Sequence, residues 1–594
     1  MVCGPEHGNL LAFKEAYGLF ACDRLLDQAP LSNRVEPDYA GIPMTKLAAL
    51  SVGATILSLF ANAQSDTSMA MKHHHHEDSQ NGEKLGRVSF PTSCTARSRP
   101  AMERGVALLH SFGYTEAQRQ FEAIAKDDPS CAMAHWGIAM TQFHELWDNP
   151  DPAALRRGAR EMAMARKLAR KRVTPREHAY IDALSAFYQP GHASHQQRAD
   201  AYQAKMDELH RNFPDDVEGA AFDALSMLAA VSPHDTSLDK QRQALKILVP
   251  LFAANPEHPG LAHYIIHTCD TPALAPEGLG AAREYAKIAA SSPHALHMPS
   301  HIFARLGMWQ ESIQSNLASV TASEKAEAAG QPGSAHQMHA EEFLIYAYLQ
   351  VGEDEKARDS TFNMRSISDH MRSMPGMDDM KGVGTWFDNE VRTIYAAEMH
   401  DWKALAAGTP APESRDWDKT FIDWGKGIAA GHLHDAKLAE AALASYNERF
   451  EVIKKSRGTA YDRSFDVKQS ELVGWKEYAE DHPDAAVEAM RKAADEQDKL
   501  GQREVDIPAR EMLGDLLMLE NKPEEALVEY HTALKLSPNR LNGLLSAGQA
   551  AEQAKHTDEA MNYYRLAAQQ TDSGKHSQRN DLARAVKATL VARR

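Results

Sequence analysis

Two short stretches carry paired histidines. Residues 263–267 read HYIIH and residues 294–301 read HALHMPSH, so His263 and His267 are four apart, as are His297 and His301. Residues four apart lie on one face of a helix, near enough to share an ion. Neutral imidazole suits zinc, copper, iron or nickel, and two such pairs would fill a first coordination shell. The peptidase pattern His-Glu-x-x-His needs a glutamate directly after the first histidine as general base. Tyr264 and Met298 stand at those places, so a zincin-type hydrolase is not indicated. No Gly-x-Ser-x-Gly elbow, P-loop, dinucleotide fingerprint or EF-hand loop occurs in context.

The two pairs are 34 residues apart, from His263 to His297 and from His267 to His301. That interval recurs elsewhere in the chain. Gly514, Ala526, Tyr530, Ala533 and Pro538 are spaced by 12, 4, 3 and 5 residues, and Gly548, Ala560, Tyr564 and Ala567 repeat the first three spacings 34 residues later. Gly474, Ala486, Met490 and Ala493 follow the same pattern, as do Gly105, Ala117, Phe121 and Pro129. Ala, Glu and Leu abound and β-type alternation is nearly absent, which predicts helix almost throughout.

This pattern resembles the tetratricopeptide repeat (TPR). Its small residues let two antiparallel helices approach, its aromatic fills the space between them, and its proline ends the unit. The resemblance implies an all-α TPR solenoid with insertions. It further implies that the first helix of each unit lines a concave groove. On that register, with Ser312 and Ala357 as the small residues of successive units, three helices would aim His263, His267, His297, His301, His339 and Glu342 at one patch. This is the expected metal-ligand set, with zinc, copper or iron as the ion and Asp270 and His294 as outer partners. Pro299 falls between the second pair and is expected early in its helix, which puts His297 near a cap. A histidine-lined peptide groove without metal stays open as an alternative.

At 594 residues the chain is long enough for more than one ordinary core or for one extended repeat structure. Its net charge of -17 argues against a nucleic-acid partner. Residues 44–63 have one lysine, an apolar run and Ala61-Asn62-Ala63, the pattern of a cleaved export signal. An internal apolar helix is the alternative. On the export reading Met44 is the true start, residues 1–43 are an upstream misread, and the protein is periplasmic or secreted, with no membrane span in the mature chain. Residues 64–84, with His73 to His76, read as a disordered His-rich tether, either solvated or metal-catching. In an oxidising compartment Cys94 and Cys131, which flank one helix pair, are expected to form a disulfide; the alternative is two small buried thiols.

The expected organisation is an N-terminal solenoid over 85–372, an irregular connection over 373–425, C-terminal repeats over 426–580 and a basic tail over 581–594. Most TPR solenoids hold a peptide or helix in the groove. The expected function is therefore an exported scaffold that binds a protein or peptide segment and carries a metal site. The rival is a metal-dependent hydrolase, oxidase or oxygenase on the same frame, for which Tyr264, Glu341, Glu342 and Tyr346 are acid/base-capable neighbours.

Overall fold

Residues 82–146, 149–189, 194–331, 333–373, 381–457 and 461–591 are described by a computed structural model of the protein. Helices follow one another along the chain, each packed on its neighbours in sequence, and no strand occurs among the described residues. The architecture is an all-α, TPR-like solenoid. The repeat signature has a direct physical origin. A glycine within a helix costs about 1 kcal/mol relative to alanine. A Cβ at Gly514 would lie 2.5 Å from the Tyr530 ring, one at Gly548 2.4 Å from Tyr564, and one at Gly105 2.7 Å from Phe121. All three rings are buried. The overlap outweighs the propensity gain, so glycine stays.

The solenoid winds back on itself. The turn after Arg305 uses Gly307 at φ +65°, where a Cβ would meet the Pro538 carbonyl oxygen at 2.3 Å. Trp309 Nε1 donates to the Asn539 carbonyl at 2.7 Å. Helix Ser334–Gln350 is therefore enclosed on all sides, buried without a break from Gln337 to Gln350. A helix placed in this way needs internal partners for its polar groups. Gln350 Oε1 accepts from the Leu541 amide at 2.9 Å, and the Tyr346 hydroxyl donates to the Asp506 carbonyl at 2.6 Å.

The apolar core has two large parts. One runs from Leu85 to Phe303 and the other from Ala304 to Ala585. The histidine-bearing helices sit at their seam.

Residues 373–425 do not form the irregular connection expected of them. Helices Lys381–Glu398 and Trp402–Ala406 and the start of Asp416–Leu433 occupy most of this interval. Two of its glycines are contact points: a Cβ at Gly425 would lie 2.7 Å from Thr393, and one at Gly384 2.2 Å from Ser368. The basic tail is likewise mostly helix, Asn580–Val591, with Leu582, Ala585 and Thr589 buried. Residues 1–43, the signal-like stretch 44–63 and nearly all of the His-rich tether lie outside the described residues. Cys94 and Cys131 form a disulfide, and Cys269 is buried and free. No helix among the described residues is long and apolar enough to cross a membrane.

Candidate metal centre

Helix Pro259–Cys269 starts at a proline, which has no amide hydrogen to leave unsatisfied there, and His258 Nδ1 caps it by accepting from the Leu261 amide at 3.2 Å. It carries His263 and His267 one turn apart. The next histidine helix is broken at Pro299, which cannot donate to the residue four earlier. Its first part is Pro293–His297, capped by Ser292, and its second is Pro299–Arg305. His294 and His297 lie on the first part and His301 on the second. His339 and Glu342 come from the enclosed helix Ser334–Gln350.

These elements bring the predicted residues together in two triads. His263, His267 and His294 place ligand atoms within 4.8 Å of one another, and so do His297, His301 and His339. Within the first triad, His263 Nε2 is 3.1 Å from His294 Nε2. Within the second, His297 Nε2 is 3.0 Å from His301 Nε2. The triads adjoin. Ring centroids of His267 and His301 are 6.4 Å apart, as are those of His294 and His297. Phe112 stacks on His267 and His294, and Phe343 packs on His297, His301 and His339.

Behind the rings, acceptors engage the opposite nitrogens. His263 Nδ1 meets the His110 carbonyl at 2.6 Å. His297 Nδ1 meets Asn316 Oδ1 at 2.7 Å. His301 Nδ1 meets Asp270 at 2.9 Å and Glu504 at 2.8 Å. His339 Nδ1 meets Glu342 at 3.0 Å. An N–H committed to such an acceptor leaves the Nε2 lone pair of that ring available inward. His267 Nε2 is buried without a hydrogen-bond partner.

Electrostatics divide the triads. Burial pushes His263 down to about 3 and holds His267, His294, His297 and His339 well below the ordinary imidazole value. Burial acts on His301 too, but Asp270 and Glu504 outweigh it and raise this ring to about 10. A proton on His301 therefore sits where the surrounding carboxylates favour positive charge.

The sixth expected ligand, Glu342, stands behind His339 and does not complete a triad. One of its oxygens faces His339, and the other accepts from Arg503 at 3.3 Å. Glu390 shares Arg503. Burial lifts Glu342 to about 7 and Glu390 to about 8, with the Arg503 guanidinium opposing. Of the expected outer partners, Asp270 lies behind His301, and His294 lies with His263 and His267. Tyr264 donates toward His110 Nδ1 at 2.8 Å, away from the ligand atoms. Tyr346 anchors the 506 backbone, and Glu341 is near Ser360, lifted by burial to about 7.

The sequence reading missed Asn316, Arg305, Arg503 and Glu504. The last two belong to a segment after Gly501 that crosses the histidine patch. Arg305 binds the Gln502 carbonyl and, at 3.3 Å, Glu504; Lys468 holds Asp506 at 3.0 Å. The chain's own 501–508 segment thus lies against the helices that carry His301 and Glu342. A cavity of about 330 Å³ adjoins this segment, lined by Gln502, Arg503 and Asp506 on one side and Leu228 and Pro233 on another.

No protein-family model matches the chain. No curated protein matches it either. Among solved structures, the human IFIT1 dimer with m7Gppp-AAAA shares 12% identity over 74% of this chain and 90% of that one, with a TM-score of 0.34. The P58(IPK) TPR domain shares 14% identity over 63% of this chain and 98% of that one, with a TM-score of 0.20. These likenesses carry no argument about what the chain binds.

Proposed function

We propose that this protein is a TPR-like scaffold that binds a transition-metal ion at the histidine patch between its two apolar cores. The observation that carries the reading is the outer ring of acceptors. His263, His297, His301 and His339 each have Nδ1 engaged, so their Nε2 atoms are oriented as ligands before any ion arrives. Zinc, copper or iron fits an all-imidazole set. The groove beyond the 501–508 segment is the proposed place for a protein or peptide partner, with no role for nucleic acid. Export to the periplasm, or secretion, is the proposed location. The Cys94–Cys131 disulfide and the signal-like residues 44–63 support it.

A metal-dependent enzyme is the second reading. Glu342, beside His339, and Glu390, which shares Arg503 with it, are raised to about 7 and about 8, values suited to proton transfer.

The test is elemental analysis of the full chain with His73 to His76 replaced by serine. The reading predicts bound zinc, copper or iron that disappears in the His267→Ala/His301→Ala double variant. A protein that folds, carries no metal and takes up none on titration contradicts it.

A further inference from the structure

The donors form two sets with different surroundings. A first-row ion holds imidazole nitrogen at about 2.0–2.1 Å. Each triad gathers three ligand atoms within 4.8 Å of one another, so a small inward turn of the rings brings all three within the roughly 4.2 Å span that one such ion can bridge. In the first triad, ring centroids of His263 are 4.7 Å from His267 and 4.9 Å from His294. In the second, His297 is 4.9 Å from His301 and 4.2 Å from His339. His267 and His301 meet across the boundary at 6.4 Å.

We propose that the two triads form a dinuclear centre. Each triad binds one first-row transition-metal ion through three neutral imidazoles and leaves positions for water or hydroxide. This rests on the metal-binding reading above and goes further by fixing the number of ions and the residues of each. The second triad fills first. Two divalent ions would bring four positive charges into a buried site whose ligands bind as neutral imidazoles, any ring proton leaving as the ion enters. Asp270 and Glu504 stand behind His301 and share the one guanidinium of Arg305, and Glu342 stands behind His339 and shares Arg503 with Glu390, so the carboxylates outnumber the cations beside the second triad. The outer contact of His263 is a backbone carbonyl, which offsets less charge. With the same donor type in both triads, copper(II) binds most tightly among divalent ions of this row.

The experiment titrates copper(II) alone into the full chain with His73 to His76 replaced by serine, counting tightly held ions after gel filtration. The proposal expects two per chain in the parent, one in His294→Ala and one in His339→Ala. The ion kept by His294→Ala should be the tighter. Electron paramagnetic resonance should show an isolated copper signal in each variant and a signal broadened or lost through coupling to a neighbouring spin in the parent. His294→Gln and His339→Gln, closer in volume, replace any alanine variant whose circular dichroism shows unfolding. One ion in the parent, lost in either variant, overturns the dinuclear centre and leaves the metal-binding reading standing. Two ions that both keep the isolated signal also overturn it. No ion at all overturns both.

Discussion

His297 and His301 direct their Nε2 atoms at each other across 3.0 Å, while Asn316 holds the far side of one ring and Asp270 and Glu504 hold the far side of the other. Two imidazoles so arranged can share a proton or an ion. Pro299 lies between them and breaks the helix, so their facing geometry depends on the outer contacts as well as on the four-residue spacing.

Asn316 is the simplest of those contacts to remove. Its Nδ2 donates to the Ser312 carbonyl at 2.8 Å, so its own orientation is fixed. Asn316→Ala should weaken binding at the second triad by about 10–100-fold, the usual effect of losing such a partner. Chelator competition measures this; unchanged affinity would show that Asn316 does not orient His297.

Acid should destabilise the metal-free protein. His263, pushed down to about 3, and His336, to about 4, stay neutral in the fold, whereas an unfolded chain protonates them near 6.5. The unfolded state thus binds more protons, and stability falls as pH drops from 6.5 toward 4, by about 1.4 kcal/mol per pH unit for each such ring. His301, raised to about 10, acts oppositely: its contribution is full below 6.5 and is lost as pH climbs to 10. Denaturant midpoints of the metal-free protein from pH 4.5 to 9 should show a steep acid limb and a shallower alkaline one.

The Cys94–Cys131 bridge closes a 37-residue separation. On the chain-entropy account this contributes about 4 kcal/mol. Cys94→Ser/Cys131→Ser should lose stability of that order in urea unfolding while keeping the histidine patch, which lies elsewhere in the chain.

Arg540 is buried between Glu398 and Glu511, 2.8 Å from each. It also donates to the Asp506 carbonyl at 3.3 Å, which ties it to the segment crossing the patch. Arg540→Ala strands two buried carboxylates and should cost about 3–5 kcal/mol. Arg540→Ala/Glu398→Gln/Glu511→Gln should recover part of that, because the stranded charges are gone.

The helical frame was legible because its signature has a local cause. Gly514 and Tyr530, or Gly548 and Tyr564, touch within one helix pair, so the spacing alone reports the contact. The histidine patch was legible in part. His263 and His267 lie in one continuous helix, and the 34-residue interval carried the pattern to the next unit. His294 is three residues before His297 and seven before His301, a spacing that already placed it on the same stripe. Its triad, however, is with His263 and His267 on the preceding histidine helix, a contact between helices that its spacing to His297 and His301 does not record. Glu504 and Arg503 could not be found in this way. They reach His301 and Glu342 because the solenoid winds back after about 200 residues, and no local period records that closure. The 373–425 interval misled for a related reason: Gly384, Gly425 and Trp424 there mark tight helix packing, not loops.

Crystals soaked with copper and measured on either side of its absorption edge test the central claim most directly. The account predicts anomalous density within about 2 Å of the Nε2 atoms of both His297 and His301. Density confined to the His73–His76 tract, or none near these rings in a well-ordered crystal, would contradict it.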